Sequence, residues 1–134
     1  MRHLRWFLAG AFAVPLFHQV MLLILSAVGF VARQPFSMTP TKPFGVPQVV
    51  SLSFWGGVWG IILGLLLDRM RSSAKKYWLT ALVFGAVAPT LVAIAVVAPL
   101  KGQALSGGWK MLATGLLVNA AWGAGTALLA KVRA

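Results

Sequence analysis

Four long apolar stretches alternate with short polar links along the chain. They run from about Trp6 to Val31, Val49 to Leu67, Tyr77 to Leu100 and Met111 to Ala130. A hydrocarbon core about 30 Å thick needs about 20 apolar residues in helical form, and each stretch meets that length. The pattern predicts an all-α membrane protein, a four-transmembrane-helix bundle forming a single integral domain over the whole chain. The first stretch opens on Arg2 and Arg5 in the manner of a secretory leader, but it is far longer than the 7–15 apolar residues of a leader core, and "VGFVARQP" offers no good cleavage site. It is read as a retained span.

The polar links carry the basic residues. Arg2, Arg5, Arg69, Arg71, Lys75, Lys76, Lys131 and Arg133 fall on one side; Arg33, Lys42, Lys101 and Lys110 fall on the other. Excess Lys and Arg mark the cytoplasmic side, so both termini and the central link are expected there. For a bacterial protein the membrane is then the inner one, since outer-membrane spans are barrel strands.

Composition sharpens this picture. Of 134 residues, 60% are hydrophobic and only 10% charged, with a formal net charge of +11. In a soluble domain that charge would suggest nucleic acid. Here the cations sit at the ends of apolar runs, which points to anionic lipid headgroups instead and away from nucleic acid. The chain has no cysteine, which removes disulfides, thiolate nucleophiles and the common structural zinc sites.

Spans two and four share a pattern. "VWGIILGLLLDR" aligns with "AWGAGTALLAKV" at an offset of 63, placing Trp59-Gly60 on Trp122-Gly123, Gly56 on Asn119, Gly64 on Ala127 and Asp68 on Lys131. Spans one and three echo each other in "GAFAVP" and "GAVAP", with one residue fewer in the second. The reading is two similar helical hairpins of the same orientation, a parallel internal repeat.

The glycines of span two, Gly56, Gly60 and Gly64, recur every four residues and share one helix face. Water does not drive helices together inside lipid; small residues do, by letting backbones approach. Span four repeats the ladder as Gly115, Asn119, Gly123 and Ala127. Packing of span two on span four within the chain is the expected use, with a contact between subunits as the other. Pro15 and Pro89 are expected to bend spans one and three at matched depth, each removing a backbone donor.

Three polar side chains fall inside predicted spans: His18, Gln19 and Asn119. Polar groups in lipid are costly and become candidates for function. The plainer expectation is that His18 and Gln19 bond to Asn119 or to a carbonyl freed by proline. A single histidine in the membrane is not a metal site, and a haem or quinone role for His18 is the weakest of the readings. Asp68, beside Arg69 and Arg71, is expected to be an interfacial paired carboxylate. Trp6, Trp109, Tyr77 and Trp78 read as interface aromatics. Catalysis is poorly supplied: there is no second carboxylate, no cysteine and no phosphate-binding glycine loop. No catalytic residue, cofactor or metal is assigned.

The outer link between spans one and two, about residues 32–48, is "RQPFSMTPTKPFGVPQ" in its centre. Its prolines restrict the backbone to extended or turn conformations, and its repeated "PF" suggests an ordered segment lying on the membrane. Pro35, Phe36, Pro43 and Phe44 are the candidate partner contacts. The second outer link, "KGQALSGGWK", is shorter and richer in glycine. The sequence therefore points to a non-catalytic accessory or scaffold subunit, associating with a membrane-protein partner or with copies of itself. The alternative is a small homo-oligomeric transporter or channel with His18, Gln19 and Asn119 along the path.

Overall fold

In the computed structural model, which describes residues 1–70, 73–102 and 108–132, four helices are long and apolar enough to cross a membrane. Span one is Arg2–Ala27, span two Gln48–Asp68, span three Ala74–Leu100 and span four Gly108–Val132. Spans one, three and four take in basic residues at their inner ends, Arg2 and Arg5, Lys75 and Lys76, and Lys131, whereas span two ends at Asp68. The outer end of span one stops at Ala27 rather than Val31: Val28 leaves helical geometry and Gly29 takes a φ of +77°, a conformation that costs glycine little.

Span two is 21 residues long against 25–27 for the others, which at 1.5 Å per residue makes it shorter by about 6–9 Å. The chain between Ala27 and Gln48 folds over its outer end. Gln48 N–H bonds to Thr39 O at 3.0 Å and Val49 N–H to Ser37 O at 3.0 Å, so the first turn of span two hands its free donors to the incoming loop. Within that loop Pro40–Thr41 pairs antiparallel with Val46–Pro47, and the Thr41 hydroxyl donates to Val46 O at 2.7 Å. This short ribbon was not expected from the proline-rich sequence; two ladder residues per strand are few enough for prolines to sit at its edges.

The core lies between helices and is built mostly of small residues and two indoles. Span one buries Trp6, Ala9, Gly10 and Ala13, a helical stripe of i, i+3, i+4 and i+7. Span two buries Gly56, Gly57, Gly60, Leu63, Gly64 and Leu67. Span four buries Thr114, Val118, Trp122, Gly123, Gly125, Thr126, Ala127 and Ala130. The outward faces are lined with exposed Phe12, Leu16, Leu23, Val83 and Leu91, among others, an apolar surface suited to lipid rather than water.

The glycine face of span two meets span one rather than the ladder of span four, whose Trp122 indole alone approaches it, at Gly56. A methyl group on Gly60 would stand 3.0 Å from Gly10 Cα and closer still to Trp6 O. On Gly56 it would strike Val14 at 2.6 Å and Gly10 O at 2.8 Å, and Gly64 faces the Trp6 indole. Span four uses its own ladder on span three: a methyl on Gly85 would fall 2.7 Å from Gly123 Cα and 2.8 Å from Asn119 O. Gly115 faces Thr90, where a methyl would come within 3.0 Å of its Cγ2. Both contacts bring backbones to distances at which Cα–H groups point at carbonyls.

Candidate functional site

Pro15 organises the centre of the bundle. It has no N–H, so Ala11 O loses the donor that a helix would supply. Val14 N–H turns to Ala11 O instead, and Gln19 N–H reaches back five residues to Val14 O, closing a π-helical turn over Val14–His18. Gly10 O accepts from Trp122 Nε1 at 2.9 Å. The indole is 2% exposed, and its polar edge would be costly in lipid without that carbonyl. The bond joins the first span to the last.

Pro89 behaves differently. It lies inside a regular helix, and the π turn of span three comes later, at Ala93–Val97. The two prolines therefore do not produce the same bend. Thr90, buried beside Pro89, accepts a 2.9 Å hydrogen bond from Asn119 Nδ2.

Gln19 finds its partner in the outer loop and His18 finds its own in Gln19, not in Asn119. Gln19, 3% exposed, accepts from Phe36 N–H at 2.7 Å. That bond fixes which end of the amide is oxygen, so its nitrogen faces His18 Nδ1 at 3.0 Å and donates to it. His18 is thereby held as the neutral tautomer with its proton on Nε2. Phe36 takes a φ of +53° to present its N–H, a strained choice for a bulky residue. Pro35 is half-buried next to it, while the ribbon turn exposes Pro43 and Phe44, the latter 87% exposed.

The outer ends of spans one and four meet through Phe30 and Trp109, whose rings pack edge to face at 5.8 Å, with Lys110 Nζ 5.4 Å from the Phe30 ring. Trp109 remains exposed, whereas Trp6 is 3% exposed and packs in the core. Span ends attract tryptophan for both purposes, and its position alone does not separate them.

At the inner end, Asp68 pairs with Arg2, Oδ2 to Nε at 3.4 Å, rather than with its neighbour Arg69. Arg71 and Arg133 lie outside the described residues, as does most of the second outer link, residues 103–107. Lys131 Nζ sits 4.9 Å from the centre of the Tyr77 ring and 5.6 Å from that of Trp78, and Tyr77 donates its hydroxyl proton to Ala127 O at 3.0 Å. Among the described residues no group of three or more His, Asp or Glu side chains could hold a metal ion.

These polar side chains thus fall into separate bonded sets: Gln19 with the outer loop and with His18, Asn119 with span three, Trp122 with span one, Asp68 with Arg2. Trp122, Thr90 and Tyr77 were not foreseen as polar links. The repeated Trp-Gly pair was the one available signal, and it flagged Trp122 without revealing its acceptor. Compared with protein-family models, with curated proteins and with solved structures, the chain matches none.

Proposed function

We propose that the chain is a non-catalytic accessory or scaffold subunit of a bacterial inner membrane, with both termini cytoplasmic, working through helix contacts and its ordered outer loop. One observation carries the reading. Gln19, Asn119 and Trp122 each place a polar atom on a different segment of the same chain, so these groups act as fasteners. A conducting path would need them to face a shared space. The transport alternative has less support on the same ground, because Gln19 is bonded to the outer loop while Asn119 is bonded to span three.

A duplicated hairpin belongs to this proposal. Gly10 opposes Gly56 and Gly60, and Gly85 opposes Asn119 and Gly123. Gly56 and Gly60 map onto Asn119 and Gly123 at the 63-residue offset, and Gly10 maps onto Gly85 in the separate match of GAFAVP with GAVAP. The outer loop is what the first half has and the second lacks, which favours it as the place for recognition. Native mass spectrometry of the mildly solubilised protein tests the function. A second protein at fixed stoichiometry, lost when Phe44 and Pro43 are replaced, is the expected result. A homo-oligomer without a partner, whose ion or solute flux falls on His18→Ala, would replace this reading with transport.

A further inference from the structure

The outer loop is bonded to spans one and two at points whose heights in the membrane can be counted. The reference is the layer of Arg2 and Asp68 at the inner end, 3.4 Å apart. Charged groups are costly in hydrocarbon, so this layer sits at or outside its inner edge. A rise of 1.5 Å per residue puts Gln19 about 25 Å above the layer, Val49 about 28 Å and Gln48 about 30 Å, and any tilt of the helices lowers them. Phe36 N–H is held by Gln19 at 2.7 Å, Ser37 O accepts from Val49 N–H, and Thr39 O accepts from Gln48 N–H. The chain leaves span one at Ala27, about 37 Å up. It then descends, with Phe30 and Val31 packed on the cluster of Leu22, Leu25 and Val118. It is lowest at Phe36 and climbs again through Thr39 into the ribbon. Residues 36–38 therefore lie at or below the outer edge of a hydrocarbon core about 30 Å thick.

Irregular backbone survives at that depth only when its polar groups are bonded within the protein. Besides the three bonds above, Thr39 N–H donates to Ser37 Oγ at 3.2 Å, and the Ser37 hydroxyl donates to Thr39 Oγ1 at 2.9 Å. What the stretch leaves uncovered is apolar: Phe36 is 42% exposed and Met38 62%. Val20, next to Gln19, and Val50, next to Val49, are exposed as well, so the apolar surface runs on from the loop to the faces of both spans. The exposed cations Arg33 and Lys42 flank the stretch in sequence, on stems long enough to reach lipid phosphates. We infer that residues 36–38 form a re-entrant strap in the outer leaflet, with Phe36 and Met38 against acyl chains and Arg33 and Lys42 at the phosphates. Span three, by contrast, covers about 37 Å between Lys76 and Lys101, so the bundle offers lipid two different heights, and the outer leaflet is drawn inward beside the strap. Pro43 and Phe44, at the turn of the ribbon, stay free for the partner proposed above. The strap does not depend on that partner.

Nitroxide labels on single cysteines test this with the full chain in vesicles of phosphatidylcholine and phosphatidylglycerol. Relaxation by oxygen, which concentrates in hydrocarbon, is compared with relaxation by a water-soluble nickel chelate. Leu91→Cys, on the exposed face of span three, gives the hydrocarbon reference, and Lys76→Cys the aqueous one. Labels at Phe36→Cys and Met38→Cys should favour oxygen as the Leu91 label does, with Phe36 the deeper of the two. Labels as open to nickel as the Lys76 label would place the stretch in water and overturn the inference. Labels closed to both reagents would mean that protein rather than lipid covers this face, and would overturn it too. The unaltered chain gives a second reading. A phospholipid with a diazirine near the start of its acyl chain should, on illumination, attach to residues 36–38, located by peptide mass spectrometry. Adducts confined to the four spans would count against the strap.

Discussion

Gly10 and Gly60 show how little room a residue can be given. Each would put a methyl group within about 3 Å of the other's Cα, so neither alanine nor leucine fits without separating spans one and two. Gly60→Leu should cost about 1–3 kcal/mol or more, the usual penalty for overpacking. Detergent-titration unfolding checks this, with Leu65→Ala on the outward face expected to stay within about 0.5 kcal/mol. Trp122→Phe keeps the ring and removes one N–H; it should cost about 0.5–1.5 kcal/mol, because Gly10 O is left without its partner. A double-mutant cycle between Asn119→Ala and Thr90→Val should give a coupling near 0.6 kcal/mol, the average for a hydrogen bond between membrane helices. Zero coupling would mean that this bond is not made in the bilayer. The glycine ladder was legible in the sequence because four-residue spacing is a local property. Its partner was not, because spans one, three and four all offer small residues, and only the path of the chain decides which comes close.

At the scale of elements, the outer loop is held by few bonds. Among the described residues, Phe36 N–H to Gln19 is the one side-chain hydrogen bond that ties the loop to span one, while Thr39 and Ser37 hold it to the start of span two. Gln19→Leu should therefore speed exchange of the Phe36 amide by about fivefold or more, the equivalent of about 1 kcal/mol. The Gln48 and Val49 amides should change far less. Exchange read by mass spectrometry over residues 28–50 separates the two. Equal acceleration at all three amides would show that the loop opens as one unit. The spans were readable from hydropathy, and so was the loop's order, from its prolines. The ribbon and the return to Gln19 were not: a glutamine inside an apolar run announces a need for a partner without naming it. The same limit explains Pro15 and Pro89, alike in sequence yet different in outcome, since what replaces the lost hydrogen bond depends on whether a donor such as Trp122 stands opposite.

For the whole molecule, orientation is the quantity with the clearest test. Because the chain has no cysteine, one introduced cysteine reports alone. A thiol at Thr39 should react with an impermeant reagent on intact cells, and one at Lys76 only after the membrane is opened; the reverse pattern would invert the topology drawn from the basic residues. At this scale the sequence was most informative, since length, apolar content and charge placement are summed over many residues and survive local errors. The stacking of Lys131 on Tyr77 lies at the opposite extreme: it depends on single side chains from two helices.

The bond from Trp122 to Gly10 spans 112 positions of the chain. A ribosome delivering this protein into a membrane releases the Gly10 carbonyl first and its indole partner last. Until the fourth span is threaded, that carbonyl and the pocket lined by Gly56 stand open to lipid. The early half of the protein is thus synthesised with a vacancy that only its own final segment fills, and assembly finishes with a latch rather than a gradual zippering. A chain cut short before Trp122 would remain in the bilayer with that seat empty, a mark by which quality-control proteases could tell an unfinished copy from a complete one.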